Sequence, residues 1–99
     1  MTGMVTIGQV LRGVLRSLKR SVRKVERARG AWLKAVPNDV AELTQVSGVK
    51  DGVLFVVTPS APLLSELIFY RKPELLRRLA EVDPGLNVRD IRFRLDARR

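Results

Sequence analysis

The side chains of this chain most able to do chemistry are arginines and lysines, and they are concentrated near the start. Residues 12–29 hold eight basic groups against one acid, Glu26, for a local charge of +7. The remainder of the 99 residues holds eleven basic and nine acidic groups, for +2. On a helical wheel turning about 100° per residue, Arg12, Arg16, Lys19, Arg20, Arg23, Lys24 and Arg27 fall on one side, and Ile7, Val10, Leu11, Val14, Leu15, Leu18, Val22 and Val25 on the other. That segregation predicts a folded helix with its apolar side buried and a strip of cations facing solvent. A cation set beside a phosphate releases condensed counterions, so such a strip gives salt-sensitive affinity for a polyanion without sequence preference. A merely solvated helix face would alternate its signs. The eight-to-one imbalance therefore favours nucleic acid, and no membrane is expected as a partner because the apolar side is needed to cover the rest of the fold.

Other chemistries are poorly supplied. The chain contains neither cysteine nor histidine, which removes disulfides, thiolate and imidazole metal ligands, and nucleophiles that depend on a histidine base. Its ten acidic residues form no recognisable catalytic motif; Asp39 and Glu42 read as helix-end and strand-surface groups. No enzymatic activity, metal or cofactor is expected. The segment from Gly48 to Gly52 is too short, and with Asp51 too acidic, to cradle a phosphate. No stretch approaches the roughly 20 apolar residues of a membrane span, and Met1 to Leu11 lacks the basic leader of a secretion signal. The expected location is the cytoplasm, associated with the nucleoid.

The length suits one domain spanning residues 1–99. The apolar phase of the opening segment continues through Trp32, Leu33 and Val36, predicting one long helix over residues 7 to about 36, or two nearly collinear helices broken near Gly13 or Gly30; Pro37, Asn38 and Asp39 end it. The period then changes. Ala41 to Val49 reads as a strand, Asp51 and Gly52 as a hairpin turn, and Val53 to Val57 as an apolar strand covered on both faces. Pro59 stops it, Ser60 is placed to cap a helix and Pro62 sits in that helix's first turn. Leu63, Leu64, Leu67 and Ile68 form its buried stripe. Pro73 predicts a kink or restart before Leu75, Leu76 and Leu79, with Glu74 and Arg78 as a surface ion pair. Asp83, Pro84 and Gly85 stop the helix. Ile91, Phe93 and Leu95 then alternate with Asp90, Arg92 and Arg94 as a strand with one wet face. The expected fold class is α+β: a long N-terminal helix, a β-hairpin, a kinked helix and a final strand, the three-stranded sheet covered by helices.

Several of these residues together resemble the DciA family of bacterial proteins associated with the replicative helicase DnaB. The features are Trp32 followed by Ala35 and Val36, Thr44 in the first strand, and Asp51-Gly52-Val53-Leu54-Phe55-Val56 for the family's Asp-Gly-x-Leu-x-Val. Further along, Ser60 to Leu67, Glu74 to Leu79 and Val88 to Arg94 match its later segments in order. The resemblance implies a KH-like α/β domain that binds DNA, single-stranded DNA being favoured, and assists helicase loading without hydrolysing ATP. Two departures stand out. Pro62 to Leu64 occupies a place where relatives often carry an aromatic, and the long extra segments of some relatives are absent. Nor is there a Gly-x-x-Gly between two helices, the clamp of typical KH modules, so a KH-like architecture would not bring KH-style base reading.

Trp32 and Phe55 read as core residues, being in phase with buried positions. Tyr70 with Arg71 and Lys72 forms a candidate second binding edge, and Arg92 and Arg94, on the wet face of the last strand, either join the helix strip or blunt a sheet edge. The principal alternatives to a DNA-binding helicase accessory are a KH-like RNA-binding or ribosome-associated factor, and a module whose basic helix meets an acidic protein.

Overall fold

The computed structural model describes the backbone of residues 7–96 and the side chains from Arg12 to Asp96; Ile7, Val10 and Leu11, assigned above to the apolar arc, lie outside the described side chains. Helix α1 runs unbroken from Ile7 to Ala35, so the two glycines do not divide it. At about 1.5 Å per residue it is about 44 Å long. Pro37, whose ring cannot continue α1, instead starts the short α2 (Asn38–Leu43). Strand β1 (Gln45–Lys50) thus starts later than the sequence suggests, Ala41, Leu43 and Glu42, the last read above as a strand-surface group, having gone into a helical turn.

Strands β1 and β2 (Val53–Thr58) form the expected antiparallel hairpin, with Asp51 and Gly52 both at positive φ, 52° and 79°, as a type I′ turn requires. Ser60 caps α3 (Ala61–Glu66), its Oγ accepting the Leu63 N–H at 3.2 Å. The helix then widens into a π-helical turn, Leu67–Arg71, before continuing as α4 (Lys72–Val82) with Pro73 in the first turn. A proline ring clashes with the carbonyl four residues before it, and one wide turn relieves the clash. This is the predicted kink. After a 3-10 turn at Pro84–Leu86, β3 (Asp90–Leu95) lies parallel to β2, giving the order β1-β2-β3.

All helices pack on one face of this mixed sheet. Ala28, Ala31, Trp32 and Ala35 of α1, Val40 of α2, Leu67 of the π turn, and Leu75 and Leu79 of α4 meet Val46, Leu54, Val56, Ile91 and Phe93. Trp32 is almost fully buried, 6.2 Å from the Phe93 ring centre. Its indole N–H donates to Thr44 Oγ1 at 2.9 Å, and that hydroxyl donates to the Val40 carbonyl at 2.6 Å.

Ile68 and Leu95, expected on buried faces, are instead 40% and 46% exposed, each lying at the margin of the core. Two larger expectations also need correction. Strand β2 is not covered on both faces: buried Leu54, Val56 and Thr58 alternate with half-buried Val53, Phe55 and Val57, which take no part in the core. Phe55 therefore stands on the outer face, opposite Gly48 on one side and Arg92 on the other. The apolar side of α1 is likewise not buried along its length. Val14, Leu15, Leu18 and Val22 are 49–59% exposed, and fully buried α1 residues begin only at Ala28. The reason is size. Six-residue strands span about 20 Å, less than half the helix, so its N-terminal part projects beyond the sheet. The radius of gyration, 17.0 Å, exceeds the roughly 13 Å of a compact chain of this length.

Replacing Thr44 by Val leaves the buried indole N–H without an acceptor and should cost about 1–3 kcal/mol, lowering the urea midpoint with no change in m; Thr44→Ser should recover most of it. Gly30 is exposed and a Cβ there meets nothing within 4 Å. Gly30→Ala should therefore stabilise by up to about 1 kcal/mol, raising Tm by several degrees in a thermal scan.

Candidate nucleic-acid interface

The cations of α1 recur every three to four residues, so along the axis they are spaced by about 4.5–6 Å. Arg12, Arg16, Lys19, Arg20, Arg23 and Lys24 are all exposed. Among the described residues, none of the six has a carboxylate within ion-pair distance, and the one hydrogen bond their side chains make is donated by Arg23 Nε to the Lys19 carbonyl at 3.4 Å. Six positive charges thus share one side of a projecting rod, and among the described residues no carboxylate forms an ion pair with them.

Arg27 behaves differently. Its guanidinium forms a two-pronged bond with Asp83, Nε to Oδ2 at 2.7 Å and Nη2 to Oδ1 at 2.6 Å, which ties α1 to the end of α4. The hydrogen bonds from Arg27, aided by its charge and the backbone N–H groups of Leu86 and Gly85, hold the Asp83 carboxyl below its ordinary value. Gly85 leaves the room: a Cβ there would stand 2.7 Å from Arg27 Nη2. Arg27 is therefore a fastening at the base of the strip. Arg29 is also engaged, donating to the Val46 carbonyl at the exposed edge of β1 and to Glu26.

Between α1 and the hairpin turn lies a groove lined by Ser17, Arg20, Ser21, Arg23, Lys24 and Arg27 on one side and Val49, Lys50 and Asp51 on the other. Lys50 is thus brought to the strip by the sheet. Helical periodicity contains no signal for it, because it belongs to another element.

The second basic set is dispersed. Arg71 pairs with Glu66 at 2.6 Å, Lys72 with Asp90 at 3.1 Å, and Arg92 stands 4.0 Å from Asp90. Arg94 opens on a different groove, on the outer sheet face, shared with Arg29, Gln45, Ser47 and Val57. None of these four joins the groove between α1 and the hairpin. Phe69 and Tyr70, in the π turn, are 73% and 80% exposed, while Trp32 is enclosed and cannot stack on a base. Among the described residues there is no cluster of acidic, histidine or cysteine side chains able to hold a metal, and no helix long and apolar enough to cross a membrane.

A helix-covered mixed sheet with a kinked helix between parallel strands defines the class: a KH-like α+β domain, here carrying a basic, projecting N-terminal helix. The model of one family, DciA, described as the Dna[CI] antecedent, matches residues 6–93. The chain belongs to the DciA family, a family of non-enzymatic replication-accessory factors. No curated protein matches it.

The Arg27–Asp83 bond gives a pH signature. Because the folded-state pKa of Asp83 lies below 3.8, its contribution is complete above that value and disappears as the pH falls through the lowered one. Thermal scans from pH 7 to pH 2 should show Asp83→Asn less stable than the parent at neutral pH, with the difference closing in acid. A constant difference across that range would show that the bond is not what Asp83 contributes.

Proposed function

We propose that this protein binds single-stranded DNA through the α1 strip and the hairpin groove, as an accessory of the replicative helicase DnaB that assists helicase loading in the bacterial cytoplasm. The observation that carries the DNA reading is the set of six exposed cations on one side of α1, unpaired among the described residues and continued by Lys50. A phosphate chain supplies what the fold withholds: a line of negative charge at comparable spacing. Each phosphate contact releases counterions, and affinity follows without base reading. The helicase as protein partner is supported by family membership alone.

An RNA ligand is the natural rival, since charge does not distinguish sugars. The segment between α3 and α4 where a KH module carries its nucleotide clamp is here Leu67-Ile68-Phe69-Tyr70-Arg71, without glycine, so the KH mode of RNA binding has no support.

Fluorescence anisotropy with a labelled oligonucleotide across a salt series tests the site. Contact with about five phosphates should give a log–log slope of roughly −3.5 for a single strand, at about 0.7 per phosphate. Reversing Arg16, Arg20 and Arg23 to Glu should abolish most binding, and Lys50→Glu alone should lower the slope by more than Lys72→Glu does. Binding unchanged by the triple reversal would rule the strip out. Competition by duplex DNA and structured RNA fixes the preferred acid, and affinity capture with and without nuclease shows whether the helicase is bound directly.

A further inference from the structure

From Val14 to Val22 the side of α1 turned away from the cations takes no part in the core. Leu11, Leu15, Leu18, Val22 and Val25 follow one another at alternating steps of four and three residues, the spacing of a coiled-coil seam. From Leu15 to Val22 this seam is more than half exposed, and Leu15, Leu18 and Val22 bound a shallow apolar groove edged by Lys19 and Arg23. Apolar side chains in such a continuous row, rimmed by charge, mark a docking surface.

We infer that this seam receives an amphipathic helix of another protein, one with apolar a and d positions and acidic flanking positions. Charge selects this occupant. From Arg12 to Val25 the helix carries six cations and no acid. A second copy laid along the seam, its axis about 8–10 Å away, would bring Arg12 and Lys19, the cations that border the seam, among cations of its own within about a screening length at physiological salt, with no acid among them to pair. Acidic flanks meet Lys19 and Arg12 on one border of the seam, while Ser21 borders the other. A lipid surface fits less well: the exposed stripe, Val14 included, is built from Leu and Val without the aromatic residues of an interfacial helix. Arg16 and Arg20 point away from the seam, so the helix holds a protein on one side and a phosphate chain on the other. This inference stands independently of the DNA reading.

The test uses the full chain and a labelled synthetic peptide of four heptads with Leu at a and d and Glu at e and g, whose own charges keep it from self-pairing. Two controls replace Glu by Lys, or the a and d residues by Ser. Anisotropy should show the Leu/Glu peptide binding more tightly than either control by about tenfold or more, and Leu15→Ser/Leu18→Ser weakening it by a similar factor. The thermal transition and oligonucleotide binding of that variant should stay as in the parent, since neither leucine touches the core. Arg16→Glu/Arg20→Glu, conversely, should lose DNA while keeping the peptide, so failure of one site is distinguishable from failure of the other. Equal binding of either control, or no effect of the double Ser variant on peptide binding, would overturn the proposal. So would a dimer by sedimentation that the double Ser variant dissociates, or seam-dependent binding to anionic phospholipid vesicles in place of the peptide.

Discussion

The burial of Trp32 is the constraint on which the rest depends. The last two turns of α1 present Ala28, Ala31 and Ala35 to the fold, small side chains that let the helix axis approach closely, and in their midst one large ring fills the space against Phe93 and the central strands. An enclosed indole is stabilising only if its N–H is satisfied. Thr44 does this at the junction of α2 and β1, and its own proton goes to the Val40 carbonyl. One short chain of hydrogen bonds thus fixes α1, α2 and the first strand together.

With that end fixed, the rest of α1 becomes a lever. About 20 residues, near 30 Å of helix, extend from the packed turns with the Arg27–Asp83 bond as a second fastening at the base. Along this arm Arg12, Arg16 and Arg20, like Lys19 and Arg23, are like charges at four-residue spacing, each such pair destabilising an isolated helix by a few tenths of a kcal/mol. A helix that lacks tertiary contacts gains nothing to offset this. Phosphates along one side, as proposed, would remove the repulsion, and an apolar partner along the other would supply missing burial. Ligands of either kind therefore stabilise the helical arm itself, and binding and helix stability are linked.

The sheet contributes to the proposed interface by position. Its hairpin turn, with Asp51 and Gly52 at positive φ and the Arg89 N–H donating to the Gly52 carbonyl at 2.8 Å, sets Lys50 and Asp51 across from the basic helix. The bulge between Val46 and Gly48 lets β1 bend, while Arg29 covers an edge carbonyl that would otherwise invite another strand. On the outer face, Val53, Phe55 and Val57 stay half-buried without a helical layer. Their neighbours in register on that face include Arg92 and Arg94.

Local signals carried much of this. The wheel of α1, the Asp51-Gly52 turn, the Ser60 cap, the break before Pro73 and the alternation of Ile91 and Phe93 are all set by residues within a few positions of one another. So is the run of charge that makes α1 the candidate site, and family motifs in order across the chain supported the KH-like reading. What local signals do not contain is the size of the surface an element meets. An amphipathic helix reads identically whether its apolar side is covered or bare, and an apolar strand such as Val53 to Val57 reads as buried on both faces when only one is. The sequence alone determined which residues share a face, because periodicity follows from backbone geometry. Which faces are occupied, and that Arg27 is held while Lys50 stands beside the strip, follow from the packing of distant elements, because those outcomes depend on distances between parts far apart in the chain.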